Sequence, residues 1–81
     1  MIDPSLQLKL YNIAFVVKEY RVKVLALKSD EFANVCGISR RTVSKIETAK
    51  NFNIVSLIKV IEKSGLKEHH LGQNLSKTFL L

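Results

Sequence analysis

The stretch Ser29–Ile46, SDEFANVCGISRRTVSKI, decides how this chain folds. Phe32, Ala33 and Cys36 fall three and four residues apart, which sets them on one face of a short helix. Val43 and Ile46 do the same for a second helix. Gly37 stands where a helix needs a left-handed residue to end, and Ile38 follows it as a buried plug. Ser39 offers its hydroxyl as the N-cap of the next helix. Arg40 and Arg41 then occupy that helix's first turn, where the dipole disfavours cations by a few tenths to about 1 kcal/mol. Two cations set against the dipole point to a polyanion as the expected partner.

Just upstream, Lys28-Ser29-Asp30-Glu31 opens the first of these helices, with Ser29 read as its cap. Asp30 and Glu31 sit at the positive end, as the dipole prefers, in contrast to Arg40 and Arg41 one helix later. Before that, Leu6, Leu10, Ile13, Val17, Tyr20 and Val24 recur at three- and four-residue steps, the stripe of a long amphipathic helix. Asp3 or Ser5 caps it, with Pro4 tolerated at its first position. Phe15, Val16 and Val22 widen the apolar face, so this helix is expected to touch more than one neighbour. Tyr20–Val24 also alternates apolar and charged residues, and a short strand there stays open beside the helix.

Downstream, residues 48–53 (TAKNFN) form a polar connection containing Lys50, and Asn53 caps a further helix. Ile54, Leu57, Ile58 and Ile61 mark its apolar face, broadened by Val55 and Val60. Ser64-Gly65-Leu66 is a glycine stop followed by an apolar residue. Lys67–Leu71 has room for one more helical turn before Gly72. The chain ends QNLSKTFLL, residues 73–81. Phe79, Leu80 and Leu81 there are either a frayed tail or a contact with a partner.

Composition bounds the answer. Eighty-one residues make one domain, near the lower limit for a self-sufficient core. One Cys leaves no intramolecular disulfide, no signal-peptide pattern opens the chain, and no apolar run nears the roughly 20 residues of a membrane span. A cytoplasmic protein is the default. Thirteen Lys and Arg against seven Asp and Glu give a net charge of +6, which favours an anionic partner. A membrane surface is a poor fit, because the polar side of the first helix lacks dense Lys and Arg. His69 and His70 are adjacent, so they cannot share a helix face as two zinc ligands would. Cys36 lies on the expected core face, where Cys behaves as a small hydrophobe. There is no glycine-rich phosphate loop and no carboxylate pair on a common face. The expectation is a non-enzyme with no metal and no cofactor.

In order and spacing, the central stretch resembles the helix-turn-helix of the Cro/C1-repressor (Xre) family. The likeness covers roughly residues 10–66. Ala33 stands at the small position where the two helices cross, Gly37 at the turn, and Ile38, Val43 and Ile46 at core positions. Phe32 and Cys36 fill places usually held by Leu. Ile46-Glu47 is similar to the family's ending of the recognition helix, and IVSLIKVIEKSGL (residues 54–66) to its fourth helix. Lys28-Ser29 stands where the family often carries Thr-Gln. The connection before Lys28 is one residue longer than usual, and the loop after Glu47 one shorter and without the usual Gly and Pro.

The resemblance implies an all-α, compact four- to five-helix lambda-repressor-like DNA-binding domain over residues 1–66, with residues 67–81 as a C-terminal extension available for dimer or partner contact. It implies a sequence-specific regulator of transcription, read as a repressor, acting as a homodimer on double-stranded DNA. Short proteins of this type also serve as antitoxins, so a protein toxin as second partner is the alternative. It further implies a buried ion pair between Arg21 and Glu47 that fixes the recognition helix, about residues 39–47, to the scaffold.

By spacing from the turn, Arg40, Arg41, Ser44 and Lys45 face outward as base-reading residues, while Val43 and Ile46 face the core. An α-helix fits the major groove, and Arg can fork onto guanine O6 and N7. Lys28, Ser29, Ser39, Thr42 and Lys50 are assigned to the DNA backbone, where contacts give affinity with little sequence information. For the dimer, the fourth helix and the C-terminal tail are the first-choice surface and the extended first helix the second.

Overall fold

The computed structural model describes residues 4–69 and 71–72. In chain order it holds helix α1 (Pro4–Glu19), a π-helical segment (Tyr20–Leu25), α2 (Ser29–Cys36), α3 (Arg40–Glu47), α4 (Ile54–Lys63) and a 3-10 turn (Leu66–Glu68). Among the described residues there is no strand, so the fold is all-α.

The first helix departs from the expected uniform stripe. It is α-helical only to Glu19, and Tyr20–Leu25 continues as a π-helix. Each hydrogen-bonded turn of a π-helix takes in one more residue than an α turn, which shifts the later side chains around the axis. Ile13, Ala14, Val17 and Tyr20 reach the core, whereas Val24, beyond the start of the shift, turns to solvent. Leu6, at the start of the helix, is exposed as well. The alternation across Tyr20–Val24 belongs to this widened turn and not to a strand. Ala26 ends the segment in the left-handed region, with φ 54°, and both its N–H and that of Leu27 donate to the Arg21 carbonyl. Pro4 is the first described residue and already helical, and Ser5 lies within the helix instead of capping it.

One core joins Ile13, Val17 and Tyr20 from the first helix to Phe32, Ala33 and Cys36 of α2, Val43 and Ile46 of α3, and Leu57, Val60 and Ile61 of α4, with Leu66 beyond. Fully burying each Val, Leu, Ile or Phe contributes about 1.5–3 kcal/mol. Helix α2 packs on α3 and α4, and α1 packs on α3. In α4 the buried face runs Leu57, Val60, Ile61 and Ser64, spaced three, one and three residues apart, while Ile54, Val55 and Ile58 are exposed. The run IVSLIKVI carries two stripes of helical spacing, and packing against α2 and the turn at Leu66–Glu68 selects between them. Tyr20 closes this end of the core: its hydroxyl donates to the Ser64 carbonyl at 2.8 Å and its ring meets His69 edge-on at 5.2 Å. Burial first, then the charges of Glu68 and Cys36, push the Tyr20 phenol above its ordinary pKa. Past Leu66 a 3-10 turn forms over Leu66–Glu68, within the stretch Lys67–Leu71 expected to add a helical turn, and Leu71 and Gly72 are again helical. Leu71 packs on the core, and Gly72 is buried so close to the Leu66 carbonyl that a Cβ there would stand 1.6 Å from its oxygen. Phe79, Leu80 and Leu81, the expected tail contact, lie outside the described residues, as does Asp3.

The ends of α2 and α3 follow from their local sequence. Lys28, not Ser29, is the N-cap residue of α2; Ser29 is already helical, and Glu31 satisfies the Lys28 N–H from 2.9 Å. The serine hydroxyl is one position too late to accept from the first-turn amides. Gly37 (φ 70°) ends α2 in a Schellman arrangement, donating to the Asn34 carbonyl while the Ile38 N–H donates to that of Ala33. Ile38 then packs against the core. Ser39 caps α3 by accepting from the Thr42 N–H at 3.1 Å.

Candidate nucleic-acid interface

Helix α3 divides its side chains sharply between inside and outside. Val43 and Ile46 are buried, and Arg40, Arg41, Ser44 and Lys45 are exposed on the other side. No acid offsets the two arginines in its first turn, whereas α2 carries Asp30 and Glu31 there. The pattern costs α3 a few tenths to about 1 kcal/mol on its own and favours an anion held against that turn.

Two shallow depressions flank α3. One, of about 400 Å³, is lined by Arg21, Lys28, Ser29, Asp30 and Arg40. The other, of about 460 Å³, is lined by Arg41, Ser44, Lys45, Thr48, Lys50 and Asn51. The residues assigned to bases and backbone thus gather in two groups: Lys28, Ser29 and Arg40 on one side, and Arg41, Ser44, Lys45 and Lys50 on the other. Ser39 and Thr42 line neither. Their hydroxyls pair with each other at 2.8 Å, which commits them to capping the helix.

Three lining residues, Asp30, Thr48 and Asn51, are not assigned to the DNA surface by the sequence reading. Asp30 brings a negative charge to the first depression. Thr48 donates its hydroxyl to the Ser44 carbonyl at 2.7 Å and closes the helix end. Asn51 holds a left-handed backbone (φ 40°) next to Lys50. Both Thr48 and Asn51 sit in the polar TAKNFN segment, from which the sequence reading drew Lys50 for DNA and Asn53 as a helix cap.

Behind the first depression, Arg21 fixes α3 from within. Its Nε donates to Glu47 Oε2 at 2.7 Å, its Nη2 to Oε1 at 3.0 Å, and its Nη1 to the Leu27 carbonyl at 2.9 Å. The two side chains retain only 11% and 8% of their surface. The hydrogen bond to Glu47 raises the Arg21 pKa above its ordinary value, against the opposing effect of burial. Glu47 is therefore occupied as a structural anchor.

Comparison with protein-family models, curated proteins and solved structures finds no match. The chemistry of this surface must be argued from the chain itself. Among the described residues no three His, Cys, Asp or Glu side chains gather as a metal site, and no helix is long and apolar enough to cross a membrane. What the surface offers is a rigid helix presenting two guanidiniums, an ammonium and a hydroxyl, bordered on each side by further cations. Such a set can fork onto base edges from the helix and hold phosphates from the flanks.

Proposed function

We propose that this protein is a sequence-specific double-stranded DNA-binding regulator of transcription, with α2 and α3 as its helix-turn-helix and α3 in the major groove. The observation that carries this reading is the outward quartet Arg40, Arg41, Ser44 and Lys45 on a helix anchored from behind by Val43, Ile46 and the Arg21–Glu47 pair. A base-reading helix must be held rigidly to set side chains against base edges, and these contacts supply that rigidity. Arg40 and Arg41 are the specificity residues, and Lys28 and Lys50, one in each flanking depression, hold the two phosphate strands. The π turn precedes Lys28, where the resemblance implies one extra residue, and Arg21 at its start reaches Glu47.

A module of this size makes few base contacts, so it acts as a two-fold dimer on two half-sites about one helical turn apart. Repression, by occupying an operator, is the simplest outcome of such binding. Selection of bound sequences from a random pool of DNA duplexes tests the reading. It should enrich a two-fold symmetric motif with guanines facing Arg40 or Arg41. Absence of any enrichment at low salt would discard DNA as the partner.

A further inference from the structure

Helix α1 has a second apolar face that the core does not use. Leu8, Tyr11 and Phe15 follow one another at three and four residues and are 62%, 55% and 64% exposed. At 3.6 residues per turn they lie on the side of the helix away from Ile13 and Val17, which α1 buries, with buried Ala14 at the border between the two faces. Phe15 and its neighbours thus point away from the helix face that packs the core. We infer that a second copy of this chain docks on this stripe, its own α1 running antiparallel. The inference rests on the dimer named above and supplies its surface.

Charge selects both the occupant and the orientation. The stripe itself carries no charge, and its rims hold Gln7 and Lys18 on one edge and Asn12 and Glu19 on the other, one cation against one anion, so the patch is locally neutral and suits a second copy of itself better than a strongly acidic or basic partner. About a two-fold axis between Tyr11 and Asn12, Leu8 of one copy meets Phe15 of the other, Lys18 meets Ser5, and Glu19 meets Pro4. No like charges oppose. A parallel pair would set Lys18 against Lys18 and Glu19 against Glu19, which is unfavourable.

Size agrees. With aromatic side chains presenting about 200 Å² each, the stripe leaves roughly 300 Å² of apolar surface in water, as much as a monomer normally carries in one patch. Doubled and rimmed by Gln7, Asn12 and Lys18, the pair buries on the order of 1,000 Å², the lower end for a specific interface, so it should dissociate on dilution. The exposed Ile54, Val55 and Ile58 of α4 are a poorer candidate. Lys59 and Glu62 continue that face, and it starts just after Asn51 of the second cationic depression.

Sedimentation equilibrium over a dilution series tests this. The wild-type chain should pass from dimer to monomer. Phe15→Glu should be monomeric throughout with unchanged circular dichroism, while Val35→Glu, at an exposed site on α2, should leave the dimer intact. Mild oxidation of mixed Leu8→Cys and Phe15→Cys chains should give a cross-linked heterodimer in preference to either homodimer. A monomeric wild type at every concentration overturns the inference, and so does a dimer unaffected by Phe15→Glu, which would move the contact to α4. Enriched DNA with a monomeric protein would sink this surface and spare the DNA reading. A Phe15-dependent dimer that enriches no DNA would do the reverse.

Discussion

The Arg21 guanidinium forks onto the Glu47 carboxylate at 2.7 and 3.0 Å and reaches the Leu27 carbonyl with a third N–H. One side chain thus ties the π segment, the linker after it and the end of α3 together. The Arg21 carbonyl also receives the N–H groups of Ala26 and Leu27. The placement of α3 depends on this residue through both its backbone and its side chain.

Breaking the pair should therefore cost more than a surface salt bridge does. Glu47→Gln or Arg21→Ala should lower stability in urea by about 3 kcal/mol, because a nearly buried charge loses its partner. Arg21→Lys should rescue little of it, since an ammonium cannot form the fork and the Leu27 contact at once. Unchanged urea midpoints for Glu47→Gln would show that the pair does not hold α3.

The two kinds of cation around α3 should separate in DNA binding. Arg41→Ala or Arg40→Ala should lose about 1–3 kcal/mol of discrimination at one base pair, with the helical signal unchanged. Lys50→Ala should weaken binding to all sequences alike and reduce the salt slope by about one ion. Affinities for specific and scrambled duplexes across a salt series read both effects. Sequence preference retained in both arginine variants would remove them as base readers.

Helix α3 ends in the same hydrogen-bond pattern as α2, but with Ala49 (φ 57°) where α2 has Gly37 (φ 70°). The left-handed region costs an L-residue roughly 1–2 kcal/mol, partly offset by the chain entropy that a residue other than glycine saves. Ala49→Gly should be neutral or stabilising by up to about 1 kcal/mol, and Gly37→Ala destabilising by at least that much. A Cβ on Gly37 would also stand 3.2 Å from Lys63 Nζ. Thermal melts of the two variants, shifted in opposite directions, check the comparison.

Burial pushes the Cys36 thiol up from about 9 to about 11, with nearby Lys63 opposing. The folded state therefore prefers the neutral thiol. The stability this gives is complete below pH 9 and is lost as pH rises towards 11, because the unfolded chain ionises first. Melting temperature should fall across that window and fall less in Cys36→Ala, with Tyr20 supplying the remaining slope in the same direction. Reaction of native Cys36 with a thiol reagent should be slow at pH 8 and fast after unfolding.

The sequence by itself determined what depends on neighbours a few residues away. Gly37 ends α2, Ser39 caps α3 and Asn53 caps α4 by accepting from the Val55 N–H, because each device closes within five residues. The core face of α2 and α3 was legible for the same reason: Phe32, Ala33, Cys36, Val43 and Ile46 repeat at the helical period with polar residues between them. The outward side of α3 followed from that period. Tertiary structure decided the rest. The apolar run of α4 contains two stripes of helical spacing, and only contact with its neighbours in the fold, α2 and the turn at Leu66–Glu68, turned Leu57 and Val60 inward and left Ile54 and Ile58 outside. The π turn after Glu19 has no signature in the periodicity, and its first residue, Tyr20, finds its hydrogen-bond partner only at Ser64, 44 residues on. Neither periodicity nor spacing pairs Arg21 with Glu47, 26 residues apart; their meeting needs the chain to close on itself. Local periodicity fixes which residues share a helix face, but which of two apolar faces is buried is a property of the neighbours packed against it.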